Sequence, residues 1–216
     1  DKIRDATMLT PTVYAARLSK QLGIDLYLKL ENLQHTNAFK ARGALAKLLT
    51  LNDEERAAGV IACSAGNHAQ GVALAAARHN ASAVIVMPAD APAIKIDNTR
   101  KLGAEVVLYD RDTENRDEIG ERIATERNLT LIRPYDEPQV IAGQGTCGLE
   151  IAADATALGI TDAEVAVCCG GGGLTSGIAL ACAADAPEYR VRPVEPEGFD
   201  AVARSLMAGA IQRNNQ

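Results

Sequence analysis

A chain of 216 residues that is 47% hydrophobic and 23% charged has ordinary globular make-up, with room for one large or two small domains. Its formal net charge of −6 speaks against a nucleic-acid partner, and no apolar run reaches the roughly 18 residues of a membrane span. Five cysteines without CxxC pairing, set among small apolar neighbours, read as buried thiols; with no export signal ahead of them, they lead us to expect a cytoplasmic protein.

In chain order, residues 26–31 (LYLKLE) alternate with period two and predict a strand. Residues 41–59 have helical spacing, a charged outer face and a closing glycine. Residues 60–67 (VIACSAGN) are a buried strand running into a loop, and the alanine-rich residues 68–80 form a helix. The strand at 82–88 (SAVIVMP), the helix at 92–104, the strand at 105–110 (EVVLYD) and the charged helix at 113–128 continue the alternation. Further strands are expected at 129–137 and 163–173, and a helix at 174–186. The stretch from Pro134 to Gly148 has no clear period and reads as an irregular segment. Strands and helices alternating at these lengths imply βαβ units, hence an α/β fold built on open parallel sheets.

In such sheets ligands bind beyond the carboxyl ends of the strands. Two strand-to-helix turns fall there, SAGNH and CGGGGL. Gly170, Gly171, Gly172 and Gly173 let main chain approach a ligand and aim several N–H groups at one anion, with a helix N-terminus behind them. A phosphate suits that loop. Gly171, Gly173 and Gly177, with Glu195 about 20 residues on, also match a dinucleotide fingerprint, though late in the chain. Ser64, Gly66, Asn67 and His68 offer small polar groups suited to a carboxylate or a ring oxygen. His68 alone is equally a helix-start residue. Ser64 lacks the GxSxG elbow of a serine hydrolase. Lys40, in NAFKARGA, lies among apolar neighbours able to lower its pKa, as an amine that attacks a carbonyl requires.

NAFKARGA, SAGNHAQG and CCGGGGL in this order, joined by PAIKIDNTRKLGAEVVLYD and YDEPQVIAGQGT, resemble the threonine/serine dehydratase and serine racemase family. These are fold-type II, tryptophan-synthase-β-like pyridoxal-phosphate enzymes, and the resemblance extends over essentially the whole chain. It implies two open parallel-sheet domains, a large one from 1–40 and 134–216 and a small one from 41–133. It implies pyridoxal 5'-phosphate as cofactor and Lys40 as its Schiff-base lysine and the carrier of the Cα proton. Phe39 lies against the cofactor, Asn67 meets its ring hydroxyl, and Gly170 to Gly173 hold its phosphate with Leu174 closing the turn. Ser64, Ala65, Gly66, Asn67 and His68 fall where the substrate carboxylate is held, and Arg116 near a substrate-facing arginine. The implied reaction turns a β-hydroxy amino acid such as threonine or serine into a 2-oxo acid and ammonia. A homo-oligomer is expected, with a small amino acid as its only other partner.

Four departures qualify the resemblance. Ala65 stands where racemases carry a serine, which favours elimination over racemisation, and Ala38 replaces a serine two residues before the lysine. In VEPEGFDAVARSL, Glu195 and Phe199 match two positions of a divalent-cation site, but Ala201 falls on a later acidic ligand. An acidic loop and a weakened metal site are the two readings there. The family's catalytic unit is longer, so the chain is expected to lack the fold's C-terminal portion, and a non-catalytic fragment is the alternative to an active lyase.

Overall fold

Four apolar runs pair in parallel to form the sheet that carries most of the chemistry-bearing residues. The computed structural model describes residues 3–214 and divides into two units, Asp1–Pro134 and Tyr135–Gln216. The first opens with β1 (Thr12–Tyr14), α1 (Ala16–Leu22) and β2 (Tyr27–Lys29), the two strands pairing antiparallel with Val13 opposite Leu28. There follow α2 (Lys40–Leu48), α3 (Asp53–Ala58), β3 (Val60–Cys63), α4 (Asn67–Arg78), β4 (Ala83–Pro88), α5 (Ala93–Lys101), β5 (Glu105–Tyr109), α6 (Arg116–Arg127) and β6 (Thr130–Leu131).

The parallel sheet has the order β5-β4-β3-β6. Every residue of β4 is buried, as expected of an inner strand covered on both faces. Ile61, Val84 and Val86 meet Ile123 of α6 on one face, and α4 packs against β3 and β4 with Val72, Ala73 and Ala76 buried. Side-chain alternation along each strand separates these two layers.

The second unit comprises α7 (Pro138–Ala157), β7 (Glu164–Cys168), α8 (Gly173–Asp185), β8 (Arg190–Val194) and α9 (Ala201–Ala208), with β7 and β8 parallel and Cys168 opposite Val194. Its core joins Cys147 of α7, Val167 of β7, and Ile178 and Cys182 of α8.

The elements depart from expectation in four places. The helix over 41–59 is two helices: Asn52 Oδ1 accepts from Glu55 N and Asn52 N donates to Glu55 Oε2, both at 2.9 Å, a capping box that starts α3 afresh. The stretch without a period is largely α7, a helix of 20 residues with proline in its first turn. Its inward face mixes Gly143, Gly145 and Gly148 with small apolar residues and the amide of Gln144, so no strong apolar stripe marks it. A Cβ on Gly145 would lie 3.0 Å from Gly177 O, and one on Gly148 2.8 Å from Ala181 Cβ. The strand over 129–137 shortens to Thr130–Leu131, because Pro134 has no N–H for a ladder. Finally, Cys147, Cys169 and Cys182 are buried and Cys63 half-buried, but Cys168 is exposed, its place in the β7 alternation turning it outward. No helix among the described residues is long and apolar enough to cross a membrane.

Candidate active site

Lys40 is the first residue of α2, with Phe39 as the N-cap. The chain reaches it through a bent segment. Thr36 and Asn37 have φ of 58° and 56°. A β-branched residue takes such left-handed values at a cost of order 1–3 kcal/mol. The buried Gln34 amide holds this bend. Its Oε1 accepts from Met8 N at 3.0 Å and His35 N at 3.1 Å, and its Nε2 donates to Met8 O at 2.7 Å. Two residues beyond the lysine, the fully buried Arg42 donates to both Glu31 oxygens, at 2.8 and 2.7 Å. Thr10 Oγ1 donates to Glu31 Oε1 at 2.6 Å. No sequence signal marks this pair, since charges 11 residues apart across a turn follow no period.

The Lys40 amine is half-buried. Its Nζ donates to Pro134 O at 2.5 Å and lies 5.3 Å from the centre of the Phe39 ring. Burial lowers its pKa from the ordinary lysine value, and the positive end of α2 acts in the same direction. A larger share of neutral amine follows, which is the reactive form toward a carbonyl. Ala38 is buried beside it and contributes only apolar surface. Gly71 was missed in the sequence. A Cβ there would lie 3.1 Å from both C and O of Lys40, so this glycine lets α4 rest on the lysine's main chain. A glycine inside a helix, where it costs about 1 kcal/mol relative to alanine, was the available signal.

The loop after β3 is tied at both ends. Ser64 N donates to Val86 O at 3.0 Å, and Ser64 Oγ accepts from Gly66 N at 3.2 Å. Ser64, Ala65 and Gly66 are half-buried, and Asn67 is exposed at the start of α4. His68 is buried, with Nε2 2.9 Å from Ile132 O, so its ring braces the main chain after β6. Arg116 opens α6 on the same carboxyl edge of the sheet, where Cys63 Sγ lies 3.8 Å from Arg116 O. Its exposed guanidinium binds Asp117 at 3.0 Å, and that hydrogen bond raises its pKa and keeps it charged.

In the second unit, the glycine loop is shaped by what its residues lack. A Cβ on Gly171 would lie 2.2 Å from the Tyr135 ring, and one on Gly173 3.0 Å from Tyr135 Cα. Gly172 has φ of 82° and caps α8, while Gly170 has open space around it. Leu174 packs on the core of this unit. The first N–H groups of a helix have no partner within it, so this turn presents donors to an anion. Both amide atoms of Gln144 and the hydroxyl of Thr175 are buried without a hydrogen-bond partner among the described residues. Such groups mark capacity for a ligand or water.

Glu195 is engaged otherwise than the dinucleotide reading requires. Its Oε1 accepts from Val202 N at 3.0 Å and its Oε2 from Ala203 N at 2.9 Å, so the carboxylate is turned to the start of α9 and serves that helix. Gly177 serves helix packing, since its Cβ would lie 2.5 Å from Ile141 O. The dinucleotide reading is withdrawn. Phe199 is exposed, and its N–H donates to Pro196 O at 3.0 Å.

Comparison with known proteins places these features in context. The family described as "Pyridoxal-phosphate dependent enzyme" matches residues 3–216. The L-threo-3-hydroxyaspartate ammonia-lyase of Saccharomyces cerevisiae is 44% identical over 215 residues, covering 100% of this chain and 65% of that protein. The L-threonine ammonia-lyase of Thermotoga maritima is 44% identical over 212 residues, covering 98% of this chain and 52% of its own length. Among solved structures, the processed form of threonine deaminase isoform 2 from Solanum lycopersicum superposes with a TM-score of 0.90 at 40% identity, covering 97% of this chain and 56% of that one. The chain thus spans between half and two thirds of the length of the two curated relatives.

Proposed function

This chain belongs to the pyridoxal-phosphate dependent enzyme family, and from that premise we propose that it is a lyase converting a β-hydroxy amino acid into a 2-oxo acid and ammonia. One observation carries the reading: Lys40 presents a half-buried amine whose ammonium form is disfavoured by burial. The glycine loop adds to it, because Gly171 and Gly173 leave no room for a Cβ beside Tyr135. Taken separately, Lys40 in the first unit offers an amine suited to an aldehyde, and the loop in the second offers main-chain donors suited to a phosphate. The names of the two curated relatives support hydroxyaspartate or threonine as the substrate.

When bound, pyridoxal phosphate supplies the electron sink that makes the Cα proton removable. In this proposal Lys40 Nζ takes that proton, and the N–H groups from Gly170 to Gly173 hold the phosphate, with Leu174 closing the turn. Phe39 flanks the ring and Asn67 faces its hydroxyl. Ser64, Ala65, Gly66, Asn67 and His68 receive the α-carboxylate, and Arg116 faces the substrate. Ala65 has no proton to donate from the opposite face, so D-serine formation from L-serine is expected to be negligible beside elimination. Comparable rates of the two would overturn that assignment. The same reading keeps 41–133 as the small domain and 1–40 with 134–216 as the large one. It also includes a cytoplasmic homo-oligomer, supported by five free cysteines and by exposed Leu9, Leu22 and Ile24.

The alternative reading is cofactor binding without turnover. One experiment separates the two. The protein is mixed with pyridoxal phosphate, its near-visible absorbance recorded, borohydride added and the labelled peptide sequenced. Label on Lys40 with 2-oxo acid released from threonine or 3-hydroxyaspartate is the expected result. Label without product favours the second reading, and no label on Lys40 overturns both.

A further inference from the structure

The carboxyl edge of the four-stranded sheet carries another cation close to Lys40. In the β3–β6 ladder, Thr130 pairs with Val60 and Leu131 with Ile61, and Ile132 N donates to Ile61 O at 2.9 Å. Arg133 follows two residues after Leu131, where the ladder ends, as Cys63, the last residue before the Ser64–His68 loop, follows two after its partner Ile61. The main chain is held on both sides of Arg133: His68 Nε2 lies 2.9 Å from Ile132 O, and Lys40 Nζ donates to Pro134 O. Ile132 is buried and Arg133 exposed, so the alternation turns the arginine side chain away from the core.

Electrostatics agree with this placement. The Cys63 thiol is pushed up by burial first and by Asp117 next. Arg116 draws it down, Glu121 pushes it up again, and Arg133 draws it down by the smallest amount of the five. Both guanidinium charges therefore reach the end of β3. Arg133 is the one that departs from a main chain fixed on either side.

We propose that Arg133 is a specificity-determining residue, receiving the second carboxylate of a dicarboxylic β-hydroxy amino acid, of which 3-hydroxyaspartate is the simplest. The assignment rests on the lyase reading and narrows it. A guanidinium offers two parallel N–H donors to a carboxylate, a geometry that lysine lacks and that the methyl of threonine cannot use. The adjacent loop is left for the α-carboxylate that every substrate of the class carries. A rigid main chain at 132 and 134 fixes where the fork begins.

The test compares kcat/KM for threo-3-hydroxyaspartate with that for threonine in cofactor-loaded protein. Losing one charge-assisted pair in Arg133→Gln is expected to cut the ratio about tenfold to a hundredfold. Arg133→Lys restores part of it. Arg122→Gln, on the exposed side of α6 where Arg122 meets Glu126 at 3.3 Å, leaves it as it was. A ratio that Arg133→Gln does not move overturns the proposal. A second measurement does not depend on turnover. The side-chain ¹⁵N–¹H signal of Arg133 is followed while the unloaded chain is titrated with 3-hydroxyaspartate or with threonine. Response at about tenfold lower concentration of the dicarboxylate is expected. Equal response, or none to either, overturns the assignment. If Lys40 takes no label and no product forms, the lyase reading fails, and the titration still decides Arg133.

Discussion

The surroundings of Lys40 and the loop at Gly170–Gly173 reach a similar end by opposite means. Around Lys40 the main chain is positioned by buried polar side chains: Gln34 on Met8, Arg42 on Glu31, His68 on Ile132. Around the loop, position is set by absence, with Gly171, Gly173, Gly145 and Gly177 letting main chain or a ring approach to distances no side chain permits. The first region should therefore answer to loss of charge or hydrogen bonding, and the second to added volume.

The strongest break of this contrast is Glu31→Ala. It leaves Arg42 buried without its carboxylate, which typically costs about 3–5 kcal/mol. Urea denaturation gives the number, and a loss under about 1 kcal/mol would mean the Lys40 region does not depend on its ion pair. Next comes Gly171→Ala, whose methyl meets the Tyr135 ring and is expected to cost about 1–3 kcal/mol. Adding Tyr135→Ala should recover much of that loss. A double mutant with additive losses would show that crowding is not the cause.

Lys40→Met sharpens the first half by pH. The folded-state pKa of Lys40 is lowered, so the unfolded chain holds a proton that the folded chain lacks between the lowered value and the ordinary 10.5. Stability contributed by this site therefore rises with pH across that window and is lowest below it. The methionine variant should gain most at neutral pH and lose its advantage near pH 10.5. Urea midpoints at the two pH values check the sign, and a gain that grows with pH would reverse it. The smallest effect belongs to Gln144→Leu, which removes a buried amide without partners among the described residues. It should stay within about 1 kcal/mol of the parent or exceed it in stability, since no hydrogen bond is lost. A loss of several kcal/mol would reveal a partner, bound water included, and spoil the contrast.

Local chemistry was legible in the sequence, and long-range geometry was not. Period and turn residues gave the alternation from β3 to α6 and both ligand-side loops, because these depend on neighbours within a few positions. The helix α7 was hidden since Gly143, Gly145 and Gly148 and the amide of Gln144 interrupt its buried face, which weakens the hydropathy signal. The Arg42–Glu31 pair and the grip of Gln34 on Met8 join residues that meet only after folding. Thr36 in a left-handed conformation runs against its own preference, so no propensity could announce it.

The two bonds that hold the carbonyls of Ile132 and Pro134 have a consequence for how such a protein can diverge. His68 and Lys40 fix the main chain there whatever side chain stands between. A substitution at position 133 therefore changes a side chain while the carbonyls on either side keep the bonds that hold them. Under the role proposed for Arg133, substrate preference would shift there with the neighbouring main chain still in place.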